Sequence, residues 1–357
     1  MGSVVKLDVP FRQSTQEARL TALIQRFAEE RRSDTDVFWL KENAEVLNIL
    51  TSIGIDLPGE ALVPFEPFYS TLERRLTFFP QYYRLLLSLG LDLEDLGLAG
   101  STGSRAANWV ASEGLVASEL SDLQRAEARR LCLRRGVDPL SGDAGLDDRL
   151  RAFGSRSATF ALPNKKAAYE LTHIVFYLSE YGRCDPALPE AFIDSLCFAG
   201  TIAFLEMNID LLAEICIALR FAGKTPSQTW ESWLTGQSRR FAVEAAPTRW
   251  MSDDYHPFLM AQWFLSTAGL GGFGVAMPEG GVRFTAPTPE VTPLRELSEC
   301  MFRLDTARST DWSAMRLQVD PMLSEGARQV VEAAEQAVDF DAFFHGFARA
   351  STMGASA

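Results

Sequence analysis

Apolar residues recur along this chain at helical spacing, and glycine repeatedly closes the run. No other feature constrains the fold so tightly. Leu20, Leu23, Ile24 and Phe27 share one face of a helix predicted over 15–32, with Ser14 or Thr15 to cap it. Trp39, Leu40, Val46, Leu47, Leu50 and Ile53 do the same over 36–53. Further helical runs fall at 62–76, 79–89, 104–113, 116–135, 145–153, 165–181, 188–204, 205–222, 226–236, 254–268, 291–304 and 323–349. Gly54, Gly90, Gly182, Gly200, Gly223 and Gly269 stand where such runs should stop. The residue just past a helix takes a left-handed conformation, which a side chain resists and glycine does not.

The frame also repeats. Phe176-Tyr177-Leu178-Ser179-x-x-Gly182 resembles Trp263-Phe264-Leu265-Ser266-x-x-Gly269. Gly182, Gly223 and Gly269 are 41 and 46 residues apart, room for two helices and two short loops. The expected fold is therefore all-α: packed αα-hairpins, or in a more closed form an incomplete α/α toroid. Alternation at 273–277 and 282–285, around a Gly-rich turn, predicts one small β-hairpin near 273–285. Turn residues at 138–143 separate an N-terminal helical region, 1–140, from a C-terminal helical-repeat region, 141–357. The same segment also fits a long loop within a single domain.

Composition removes several functions. With 47 acidic residues against 34 basic ones the net charge is −13, so the chain lacks the basic footprint of a nucleic-acid binder. Five widely spaced cysteines with no C-x-x-C argue against a zinc ribbon or a redox dithiol. The most apolar stretch, 191–222, is interrupted by Asp194, Glu206, Asp210 and Glu214, which argues against a membrane span. The N-terminus carries no apolar signal region, and Lys6 spoils a myristoylation match at Gly2. The expectation is a soluble, cytoplasmic protein. Gly269-x-Gly271-x-x-Gly274 matches a dinucleotide string, but it follows a helix and precedes a hairpin, the wrong context.

Histidine is scarce: His173, His256 and His345. His345 falls among aromatics near a helix end. The other two sit beside carboxylates at i,i+3 spacing, in Glu170-x-x-His173 and Asp253-x-x-His256. That spacing lets a carboxylate and an imidazole reach one ion in helical bundles. On the 165–181 helix Lys166, Glu170, His173, Tyr177 and Glu180 form one stripe. On the 205–222 helix Glu206, Asp210 and Glu214 form an i,i+4 ladder flanked by apolar residues. Buried carboxylates require a cation or hydrogen-bond donors.

The resulting candidate is a carboxylate/histidine site for a divalent metal, Zn, Fe or Mn. His173, Asp210, His256 and Glu206 are its candidate ligands. Glu170, Glu214 and Tyr177 are candidate catalytic groups, with Glu170 or Glu214 as orienter or general base. Hydrolysis and oxidation both fit. A metal-free version uses His173 as acid/base, with Tyr177 and Lys166 binding an anion. The bland alternatives are a polar outer stripe, ion pairing of the ladder to Arg220 or Lys166, and simple capping by the aspartates at 253–254. Trp230, Trp233, Trp250 and the cluster Phe78, Phe79, Tyr82 and Tyr83 suit either a core or a pocket for an apolar or aromatic ligand.

The string Tyr169-Glu170-Leu171-Thr172-His173-Ile174-Val175-Phe176-Tyr177 is followed by Asp210-Leu211-Leu212-Ala213-Glu214 and Tyr255-His256. It resembles an uncharacterised, alphaproteobacterial-type family of helical proteins with an L-T-H-x-[VI]-F-Y signature. Val37-Phe38-Trp39-Leu40-Lys41-Glu42-Asn43 and Phe78-Phe79-Pro80-Gln81-Tyr82-Tyr83-Arg84 are similar to the same group. The resemblance implies a helical architecture and no activity. Two function classes follow from the residues: an enzyme with a small-molecule site between repeated helices, or a non-catalytic helical scaffold whose polar stripes bind a protein partner.

Overall fold

A computed structural model describes residues 15–247 and 252–350. Gly2, Lys6, Ser14 and Trp250 lie outside the described residues. The fold is mostly helical with one small antiparallel strand pair, as the periodicity predicts. The Thr15 hydroxyl caps the helix Gln16–Gln25 by accepting from the Ala18 amide at 3.1 Å. Asp36 caps Val37–Ser52 in the same way. These side chains satisfy amides that the first helical turn leaves unpaired.

Four of the six expected glycine stops are left-handed: Gly54, Gly182, Gly223 and Gly269. Gly90 and Gly200 instead lie inside the helices Tyr83–Asp95 and Glu190–Leu205. A methyl group at Gly90 would sit 2.5 Å from Leu72 Cδ2, and one at Gly200 would sit 2.5 Å from Trp230 Cη2. Here glycine permits close packing rather than a turn. The expected run 323–349 is two helices, Glu325–Glu335 and Phe340–Phe347, preceded by an unforeseen Trp312–Val319.

The strand Val282–Thr285 falls where the hairpin was expected, but its partner is Ala242–Ala245, in register Ala242 to Thr285. The 273–277 segment is held by side chains instead of a ladder. Phe273 is left-handed and its amide donates to Gln262 Oε1 at 2.8 Å. Gln16 and Arg26 donate to the carbonyls of Gly272 and Pro278. With its first amide and both flanking carbonyls so engaged, the segment has less to gain from pairing as a strand.

Ile209–Phe221 is the central helix, its residues buried nearly throughout. Lys165–Leu178, Glu190–Leu205, Gln228–Ser238 and Tyr255–Thr267 pack around it. Val37–Ser52 packs on Tyr83–Asp95, and Asp122–Leu133 touches both Tyr83–Asp95 and Lys165–Leu178. No helix of the described residues is long and apolar enough to cross a membrane.

A buried arginine ties the N-terminal helices to the start of Tyr255–Thr267. Arg31 donates to Glu42 Oε2 at 2.9 Å, to both Asp253 carboxylate oxygens at 2.8 Å, and to the Val282 carbonyl at 3.0 Å. Its guanidinium also lies about 5 Å from the Phe27, Tyr255 and Phe284 ring centres. Asp253 further accepts from the Phe284 amide. One turn beyond Glu42 stands Glu45, and one turn beyond Asp253 stands His256. The clamp therefore sets those two side chains opposite each other.

Candidate functional site

The central helix does not run continuously from 205. Met207 is left-handed, with φ 56°, and the Asn208 side chain caps a new start by accepting from the Leu211 amide. The expected acid ladder is thus split. Glu206 belongs to the end of the preceding helix, pairs with Lys165 at 3.2 Å, and lines a different depression. Asp210 and Glu214 stay together, because i and i+4 lie on one face of an unbroken helix.

Both line a cavity of about 540 Å³ between the central group of helices and the N-terminal ones. His256 reaches it from the first turn of Tyr255–Thr267. Its Nδ1 lies 2.5 Å from Glu45 Oε1. Its Nε2 lies 3.1 Å from Asp210 Oδ1 and 3.9 Å from Glu214 Oε1. Asp210, Glu214 and His256 each offer one ligand atom within 4.8 Å of the others. The second oxygens are held from Lys165–Leu178. Tyr169 donates its hydroxyl to Asp210 Oδ2 at 2.6 Å, and Thr172 donates to Glu214 Oε2 at 2.5 Å. Asp210 Oδ1 is buried without a hydrogen bond, its approach to His256 being poorly aligned. A buried carboxylate oxygen facing an imidazole nitrogen and a second carboxylate is a fitting donor set for a divalent cation.

His173 is adjacent. Its Nδ1 lies 2.7 Å from the Tyr169 carbonyl, which can only accept. The nitrogen therefore carries a proton, and in the neutral ring Nε2 keeps its lone pair. Glu170 turns away from the cavity toward Lys166, at 3.9 Å. Tyr177 lines the cavity, beside Arg130 and Tyr181. Asp253 serves the Arg31 clamp, and His345 is exposed on the Phe340–Phe347 helix. So neither i,i+3 pair works as a unit. The carboxylates that meet the histidine come from other helices. Glu45, Tyr169 and Thr172 were not singled out from the sequence. Glu45 left little trace, because Val37–Ser52 also carries Lys41, Glu42, Asn43 and Asn48 and one more polar residue does not stand out.

Electrostatics follow from this crowding. Burial works to lower the His256 pKa, but the adjacent carboxylates of Asp210 and Glu45 outweigh it and raise the pKa to about 11. Burial raises the Glu214 carboxyl, with Asp210 adding to the shift and the two histidines and Thr172 opposing it. A group whose folded pKa exceeds its unfolded value stabilises the fold fully below the unfolded pKa. That stabilisation is lost as pH rises through the folded one. For His256 the window runs from 6.5 to about 11. Chelator-treated protein should therefore lose thermal stability between about pH 7 and about pH 10, and His256→Gln should flatten the decline. Equal slopes in the two proteins would show that His256 is not the source.

A family model described as "Domain of unknown function (DUF6902)" matches residues 1–350. No curated protein and no solved structure matches the chain.

Proposed function

The chain belongs to the DUF6902 family of domains of unknown function, and from that premise, which brings no activity with it, we propose a divalent-metal-dependent hydrolase acting on a small molecule. The observation that carries this reading is the convergence of His256 Nε2 with Asp210 and Glu214, while His256 Nδ1 faces Glu45. A histidine ligand commonly hands its other ring proton to a carboxylate, which fixes the ring and strengthens the donor. Asp210, Glu214 and His256 would hold the ion. Zn²⁺, Fe²⁺ and Mn²⁺ suit such a set. Bound there, the ion would supply a Lewis acid.

The chain's own groups then have distinct tasks. Tyr169 and Thr172 aim the two carboxylates. Glu45 holds the imidazole and takes up the charge of its Nδ1–H. His173, locked by the Tyr169 carbonyl, presents Nε2 as a general base to accept a proton from water. That free base beside the cluster is what favours hydrolysis over oxidation. A scaffold would leave these side chains dispersed and wet. Their gathering in one cavity of drug-like size supports a small-molecule site instead.

Metal analysis and Mn²⁺ or Zn²⁺ titration of the full chain provide the test. We expect one ion per chain and a melting point that drops on chelation. Glu45→Gln should weaken affinity by about 10–100-fold, the usual effect of losing an outer partner. No bound ion, together with melting unchanged by chelator, would overturn the proposal.

A further inference from the structure

The same cavity carries a second kind of chemistry. Arg130, on the helix Asp122–Leu133, lines it while being only 4% exposed. Its guanidinium lies 4.6 Å from the Tyr181 ring centre and 5.9 Å from that of Tyr177. Its one ion-pair partner among the described residues is Glu180, at a long 3.4 Å, and its Nε is buried with no hydrogen-bond partner. Trp263 also lines the cavity. Buried donors are almost always paired, so an unpaired guanidinium nitrogen on a residue lining a cavity asks for a reason.

The local backbone is bent to make this wall. Glu180 and Tyr181 are both left-handed, with φ of 50° and 54°, ahead of Gly182 at 83°. Non-glycine residues pay for that conformation with strain, which tends to gather where function fixes it. The bend sets Glu180 against Arg130 and stacks Tyr181 on Trp263 with ring centres 5.8 Å apart. Arg84, the other arginine of the cavity, is already neutralised by Glu119 and Glu127. Lys41 lines the cavity too but is exposed to solvent, which leaves Arg130 as the buried, weakly paired cation available to an incoming anion.

We infer that the cavity takes a small aromatic carboxylate. Its carboxylate meets the Arg130 guanidinium, and its flat body lies among Phe176, Tyr177 and Tyr181. A planar arginine fork matches the two oxygens of a carboxylate. Phosphate would call for more positive charge than this wall offers. This inference rests on the proposed hydrolase only for direction, since the bond to be cleaved would face Asp210, Glu214 and His256.

The test uses chelator-treated full chain, so that no ion can capture the probe. Binding of 2-naphthoate and of neutral 2-naphthamide is followed by tryptophan fluorescence and calorimetry. We expect naphthoate to bind at least about tenfold more tightly than the amide. Arg130→Met should erase that preference while the circular dichroism spectrum and metal titration stay unchanged. Should Arg130→Met fail to fold, Arg130→Lys, which keeps a charge and loses the planar fork, should weaken naphthoate several-fold and naphthamide little. Equal binding of the two probes, no binding of either, or an unchanged preference in a folded variant overturns the inference. Naphthoate binding without metal binding would sink the hydrolase and leave the anion site. Metal binding without naphthoate binding would do the reverse.

Discussion

Replacing Arg31 with alanine should cost about 3–5 kcal/mol of folding stability, the usual penalty for leaving a buried charge without its partner. Arg31, Glu42 and Asp253 have side-chain exposures of 3%, 1% and 3%. After the substitution Asp253 would keep the Phe284 amide, and Glu42 would keep Arg32. Neither is a full replacement. The three surrounding rings would also lose a cation held about 5 Å from their centres. Arg31→Lys retains a charge but has no planar fork, so its loss should be intermediate. Urea unfolding measures this. A loss below about 1 kcal/mol for Arg31→Ala would mean that the two carboxylates are satisfied without it. Because Arg31 also aligns Glu45 with His256, the variant should bind metal more weakly than its folded fraction alone explains.

Asp210→Ala is expected to do the opposite: little to the fold and much to the site. The variant should lose more than about 100-fold in metal affinity, beyond the range for an outer partner such as Glu45. Stability should change by no more than about 1.5 kcal/mol. Tyr169 would lose an acceptor and His256 one of its carboxylates, but Glu214 would lose a like-charged neighbour. Calorimetric titration with Mn²⁺ beside a urea curve separates the two effects. If Asp210→Ala binds as tightly as the parent chain, Asp210 is not a ligand. If it fails to fold, the acid is structural and the proposed division of labour is mistaken.

Much of the architecture was legible because helical apolar spacing is a local property. Leu20, Leu23, Ile24 and Phe27 announce their helix without reference to anything distant. Helix ends were less secure, since glycine has two uses. Gly182 and Gly269 supply a left-handed turn, while Gly90 and Gly200 make room for Leu72 and Trp230. Which use applies depends on a neighbour far away in sequence. Strand pairing shows the same limit: 282–285 carries its alternation, but nothing local names 242–245 as its partner.

The candidate site divides along the same line. Asp210, Glu214 and His256 stood out because acids in an apolar helix and scarce histidines are visible locally. Their neighbours did not. Glu45 is 211 residues from His256, and Tyr169 and Thr172 reach Asp210 and Glu214 from 41 and 42 residues away. The i,i+3 pairs pointed to the right histidine neighbourhood but to the wrong carboxylates. Glu170 and Asp253 are claimed by Lys166 and Arg31.

The left-handed Met207 carries one more implication. Each residue of an α-helix turns the chain by about 100°. In one unbroken rod from 190 to 221, the bearing of Asp210 would be locked to that of every residue before it. One inserted residue upstream would swing both carboxylates away from His256. With the break at Met207, the count restarts at Asn208. The helix Glu190–Leu205 can then change its register or length while Asp210 and Glu214 keep their bearing. Indels tolerated at 190–205 and rejected at 209–214 would be the signature of two rods whose rotational phases are independent.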